Sequence, residues 1–269
     1  MNSSRLRAIL PRIYDNFLMP SKLDSYSELL GSALRAGYET HSVASFWDVI
    51  AGGGPSPVAK YMVVRHDIDT DPATAACFLE IEARLAVRAS YYFRLSTLDL
   101  PLMERIAEVG SEASFHYEEI ATISKERCLK TKDQVYAEMP RIRNRFKSNL
   151  HALRQATGLP MSTVSSHGDF VNRQLGLANW ELLRDRAFRA EVDIKLEAYD
   201  EAMMRHVRKR FTDIYDDPSG VTLLPQAIRA SEPVLYLLTH PRMWRSNPGV
   251  NLRDDLGRVW AGVRYRICG

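Results

Sequence analysis

VVRHDIDTD, residues 63 to 71, runs two β-branched apolar side chains straight into a histidine and three aspartates. Tyr61 and Met62 extend the apolar run upstream, and a short run of this kind reads as a buried strand. Side chains alternate along an extended chain, so Asp67 and Asp69 share one face while His66 points to the other. The two carboxylates are therefore expected to border a common space, and His66 to be a structural group. Asp71, directly before Pro72, reads as a helix cap.

Outward from this strand the chain alternates between strand and helix patterns. PATAACFLEIEARLA carries Pro in its first turn and apolar residues at helical spacing, and VRASYYFRL is strand-like again. LPLMERIAEVG is helical, EASFH is a strand, and residues 133–157 form one long helix stopped by Gly158-Leu159-Pro160. SKERCLKTKDQ (124–134) reads as a surface loop before that helix. MSTVSSH follows as a strand, LANWELLRDR as a helix, and FRAEVDI, VTLLP and PVLYLLTH as further strands. About seven strand-helix units with no internal break favour an α/β barrel, closed or nearly so, over two domains. Residues 1–57 read as a helical N-terminal appendage of the same unit, with helices in SYSELLGSALR and SVASFWDVI, bounded by the flexible AGGGPSP. The barrel then occupies residues 58–269.

Composition limits the functional classes. The 269 residues are 45% hydrophobic and 26% charged, and no segment approaches the roughly 20 apolar residues that span a bilayer. The N-terminus lacks the apolar core of a secretion signal, so a cytoplasmic location is expected. A net charge of +3 does not indicate nucleic acid. RHVRKR (205–210) and the arginine-rich stretch 253–266 read as solvated helix faces, with docking of an anionic substrate as the sharper alternative. Cys77, Cys128 and Cys268 are odd in number and widely spaced, which supports neither a disulfide framework nor a zinc knuckle and leaves them as thiols.

The placement of histidines carries the functional signal. His66 with Asp67 and Asp69, His116, His167 with Asp169, and His240 all fall at predicted strand ends, whereas His41, His151 and His206 fall on predicted helices or loops. In a parallel α/β barrel the C-terminal strand ends open on one face, where active sites lie. Taken singly, each such His is more often a hydrogen-bonded structural group, and Asp169 suits a turn. Jointly, they suit a divalent metal of the zinc type, with a spare carboxylate and a spare imidazole for proton transfer.

VVRHDID with the following helix, RASYYFRL, EVGSEASFHYE and VLYLLTHPRMW together resemble the polysaccharide deacetylase, or NodB-homology, family in its HDxD-type branch. YSELLGSALRAGYETHSVASFWDVI resembles the lead-in helices of that branch. The resemblance runs from about Tyr26 to Trp244. It implies a distorted (β/α) barrel and metal-dependent removal of N- or O-acetyl groups from sugars. It places Asp67 as catalytic base, Asp69 and His116 as metal ligands, and His240 as general acid. The family's second ligand histidine, four residues after His116, is replaced here by Ile120. His167 in SSHGD is taken to complete the ligand set, with Glu118 and Glu119 as weaker candidates.

The ion expected is zinc, with cobalt or nickel as alternatives. Tyr117 and Trp244 are candidate sugar-stacking residues. The missing leader points to an intracellular glycan substrate, nucleotide- or lipid-linked, of the kind used in lipopolysaccharide O-antigen assembly. Two other readings compete: an HD-type phosphohydrolase, which requires an all-helical fold, and a non-catalytic deacetylase-like scaffold that binds sugar or metal.

Overall fold

The computed structural model describes residues 14–213 and 220–268. It is an α/β structure in which a curled, half-barrel sheet of parallel strands is wrapped by helices. The strands are β1 (Tyr38–His41), β2 (Lys60–Ile68), β3 (Ser90–Phe93), β4 (Glu112–Tyr117), β5 (Thr163–Ser166), β6 (Leu196–Glu197), β7 (Lys209–Thr212) and β8 (Val234–Thr239). Their order is β6-β5-β4-β3-β2-β8-β7, with β1 beside β2. β1 pairs with the first half of β2, from Tyr38↔Lys60 to His41↔Val63, and β3 pairs with the second half, from Arg65↔Ser90 to Ile68↔Phe93.

Period-two alternation sorts the β2 side chains into two cores. Met62, Val64 and Ile68 join the large core between sheet and helices, while Tyr61 and Val63 join a smaller cluster inside the curl with Tyr92, Leu196, Tyr236 and Leu238. Arg65 and Asp67 share the concave side by the same rule. His66 lies on the helix side, fully buried, with Nε2 2.6 Å from Glu82 Oε1 and Nδ1 2.5 Å from Thr239 Oγ1. Tyr91 donates to the other Glu82 oxygen at 2.5 Å, and Tyr26 donates to the first. This buried carboxylate is satisfied by partners from three elements, the helix Leu23–Arg35, β2 and β3, and β8 is tied in through the Thr239 contact to His66.

Several local expectations give way to tertiary context. The lead-in contains a strand as well as helices: β1 takes Tyr38–His41, so His41 does end a strand. It pairs at the level of Val63, well below the strand-end cluster, because β1 covers only the first half of β2. FRAEVDI is not a strand. Asp185 caps a short helix, Arg186–Glu191, by accepting from the Ala187 and Phe188 N–H groups. VTLLP is a 3-10 turn entering a helix, with Pro225 in its first turn rather than in a ladder. SKERCLKTKDQ begins inside the helix Glu119–Arg127, and the long helix is two, Lys132–Ala137 and Met139–Thr157. RHVRKR ends in β7, with Arg210 paired to Tyr236 on the concave face, so it is no helix face.

Cys128 and Cys268 form a disulfide across 140 residues, which corrects the reading of all three cysteines as thiols; Cys77 alone is free. The bond ties the end of the C-terminal helix, Pro248–Ile267, to the loop after Arg127. In a reducing compartment that tie would open. Among the described residues no helix is long and apolar enough to cross a membrane.

Candidate functional site

Five strand ends deliver the cluster. Asp67 lies near the end of β2, with Asp69 just beyond it, and His116 lies near the end of β4. His167 follows β5, and Asp213 and His240 follow β7 and β8. Asp69 Oδ1 sits 3.2 Å from His116 Nε2 and 3.5 Å from His167 Nε2, and the two imidazoles meet edge-on with centroids 5.3 Å apart. Asp67 Oδ2 is 3.5 Å from the same His116 nitrogen. Two imidazoles widely separated in sequence therefore converge on one carboxylate oxygen.

The far side of each imidazole is fixed. His116 Nδ1 lies 2.9 Å from the Ser165 carbonyl, which can only accept, so Nδ1 carries the proton. His167 Nδ1 lies 3.0 Å from Glu118 Oε2, and Arg94 grips Glu118 through both Nη2–Oε contacts, 2.9 and 3.0 Å. A neutral imidazole protonated at Nδ1 turns a lone pair outward at Nε2. In that neutral form both Nε2 atoms would turn lone pairs to Asp69 Oδ1, a buried oxygen with no hydrogen-bond partner of good geometry. Three acceptors pointing at one another demand a cation between them, either protons or a metal.

Electrostatics follow from these contacts. Burial pushes the Asp69 carboxyl up, but His167 and His116 outweigh it and hold the group well below the usual carboxylate range. Burial likewise works against a charged His167, yet Asp69 and Glu118 raise it to about 9. Asp67 is buried too, and the Arg65 guanidinium more than offsets that burial and keeps it ionised. Arg65 donates from Nε to Oδ1 and from Nη2 to Oδ2, each at 2.7 Å. Arg65 is itself fully buried, bonded to Tyr236 and Ser165 and stacked 4.3 Å over the Tyr199 ring.

His240 is held by Asp213, which accepts from its backbone N–H and faces its Nδ1, both at 2.7 Å. Burial lowers the His240 pKa, but Asp213 overrides it and raises it to about 9. Trp244 donates its indole N–H to the same Asp213 at 2.7 Å.

Other expected residues fall elsewhere. Ile120 is buried among the helix-side apolar residues, because the chain has already turned into the helix Glu119–Arg127. Glu119 follows that turn, accepting from Asn149 at 2.9 Å away from the cluster; burial raises it to about 7. Tyr117 alternates with His116 and faces the helices, its ring packed on Phe115 and Phe146, so it offers no face to a sugar. Trp244 is buried edge-on against Tyr26 and Phe78, and it braces Asp213 rather than stacking on a ligand. Asp71 caps the following helix, and Asp169 caps Phe170–Leu175 while pairing with Lys125 at 2.7 Å. His66 and Asp67 stand on a parallel strand, which excludes the all-helical fold an HD-type phosphohydrolase requires.

Arg65, Asp213 and Arg94 are the residues that sequence reasoning missed. Arg65 was legible, since it shares the face of Asp67 two residues on. Asp213 was hidden by β7, whose basic sequence resembles a helix face, and Arg94 sits one residue past β3.

Two surface hollows, of about 450 and 530 Å3, lie on the helix layer, the first lined in part by Glu80, Arg84 and Arg105 and the second by Lys147, His151 and Arg154. Neither borders the strand-end cluster. Among the described residues no group of three or more His, Cys, Asp or Glu forms a ready-made cage around an ion. No protein-family model and no curated protein matches the chain.

Proposed function

We propose that the protein is a divalent-metal hydrolase that removes an acetyl group from an amino sugar of a surface glycan, with Asp69, His116 and His167 as the residues that would hold the metal. The observation that carries this reading is the buried Asp69 Oδ1, without a well-formed hydrogen bond, facing the Nε2 atoms of His116 and His167. Two donors each about 2.0–2.2 Å from a tetrahedral ion lie about 3.4 Å apart, and the observed separations are 3.2 and 3.5 Å. A backbone carbonyl on one ligand imidazole and a carboxylate on the other are the outer partners such ligands use. His167 supplies the position that Ile120 leaves empty.

A zinc-type ion bound there supplies Lewis acidity, lowering the pKa of water and polarising an acyl carbonyl. The chain's own groups account for proton transfer. Asp67 is next to the cluster and ionised, so it accepts a proton; its Arg65 ion pair makes it a weak base, suited to a proton that is already acidic. His240 remains protonated at neutral pH, and with Nδ1 tied to Asp213 it donates from Nε2 to a departing amine. The partly open side chains of Asp69, Glu118, Arg94 and His240 form the rim through which a glycan would reach the acyl-transfer position.

The test is acetate release from N-acetylated nucleotide sugars and lipid-linked glycans by zinc- or cobalt-loaded protein, with Asp67→Asn and His240→Ala as paired controls. Release by the wild type and loss in both variants is expected. A protein that binds metal stoichiometrically yet releases acetate from none of them is a scaffold rather than an enzyme.

A further inference from the structure

The C-terminal helix Pro248–Ile267 is anchored at both ends by its inner face. Near its start, Arg242 pairs with Asp254 at 2.9 Å and Asp255 at 2.8 Å, and Asn251 donates to the Asn16 carbonyl at 3.1 Å. At its end, Tyr265 is buried and donates to the Leu129 carbonyl, and Cys268 is disulfide-bonded to Cys128. The opposite face is another matter. Leu252, Leu256, Val259, Trp260, Val263 and Ile267 are all exposed, Trp260 at 71% and Ile267 at 77%.

At helical periodicity these six positions fall within an arc of about 100°, on the side away from Asn251 and Tyr265. Arg253 and Arg264 border the arc on one side and Arg266 on the other. All three are exposed, and none makes an ion pair among the described residues, whereas Asp254 and Asp255 are engaged by Arg242. Tyr14–Leu18 packs near the start of this helix and exposes Phe17 and Leu18 as well.

We propose that this face docks the protein onto an anionic lipid surface. An apolar stripe with an exposed Trp, bordered by arginines lacking acidic partners, is the pattern of a helix lying in the headgroup region rather than crossing it. Charge decides between the two obvious occupants. A second copy of the helix would set like-charged arginine borders against each other, with both acidic residues of the helix already engaged by Arg242, whereas anionic headgroups complement all three. The helix is bolted through Arg242 to the loop that carries His240, so docking would bring the strand-end mouth to a surface-held substrate. The inference stands apart from the metal-site reading, because vesicle binding is measured without turnover.

Full-length protein is sedimented with vesicles of phosphatidylglycerol mixed with phosphatidylcholine, and with phosphatidylcholine alone. Binding to the first, weakening with added salt, is expected. Arg253, Arg264 and Arg266 changed together to Gln should weaken it by roughly tenfold or more. Leu256→Glu with Val259→Glu should abolish it while leaving the circular dichroism spectrum unchanged. Trp260 emission should shift to the blue on binding, a change missing in Trp260→Ala. Failure to sediment with the anionic vesicles at low salt would overturn the proposal, as would binding indifferent to the Glu pair. A dimer in analytical ultracentrifugation that the Glu pair dissociates, without vesicle binding, would assign the face to a second copy instead.

Discussion

Arg65 and Asp67 stand two residues apart on one strand and close a two-point ion pair, 2.7 Å at each contact, with both side chains almost wholly buried. Replacing Arg65 with Met leaves an uncompensated carboxylate inside the curl. The expected loss is about 3 to 5 kcal/mol of unfolding free energy, read by urea denaturation. The double replacement Arg65→Met with Asp67→Asn should recover much of it. If the single variant costs no more than the double, Asp67 is not held by this pair.

Asp213 sets the protonation of His240. Asp213→Asn removes the charge that opposes burial, so the imidazole loses its proton at lower pH. The alkaline limb of the kcat/KM profile for acetyl release should move down by about one pH unit or more. An unmoved limb would mean that His240 is not the group titrating there.

His167 is the test of the ligand set. His167→Ala should fail to retain zinc through dialysis, as measured by elemental analysis, and so should Asp69→Ala and His116→Ala. Adding Ile120→His to the His167 variant should not restore the metal, because position 120 faces the helix layer. Restoration would show that the helix after β4 reorients and that the usual motif spacing still governs the site.

Glu197 makes stability pH-dependent. It accepts from the Ser166 and Tyr199 N–H groups, but burial dominates and raises its pKa from 4.5 to about 7. A carboxyl raised in the folded state binds more protons there than in the unfolded chain between these values. Its contribution is therefore full below the unfolded pKa and is lost as pH rises through about 7. The decline amounts to at most roughly 3 kcal/mol. Glu197→Gln should flatten the fall in unfolding free energy between about pH 5 and 7. Parallel profiles for variant and wild type would rule the assignment out.

Local pattern was sufficient for the α/β class, for β2, β4, β5 and β8, for the cap at Asp71, and for the opposed directions of His66 and Asp67. Each depends on neighbours within a few residues, where periodicity and turn chemistry act directly. The same rule applied to β4 would have set Tyr117 with the helices, since it alternates with His116. FRAEVDI begins inside the short helix Arg186–Glu191 because the Asp185 cap, itself a local signal, outweighs its strand pattern, whereas RHVRKR ended in a strand because β8 supplied the pairing partner.

The remaining relationships join residues far apart in the chain. His167 meets Asp69 only because β5 and β2 end on the same rim, Asp213 meets His240 because β7 and β8 pair in parallel, and Cys128 meets Cys268 across 140 residues. Residue types pointed to the chemistry proposed above, since carboxylates and imidazoles at strand ends suit few tasks. Which imidazole faces which carboxylate depends on sheet order and curl, which arise from packing of the whole chain and leave no mark in any single segment.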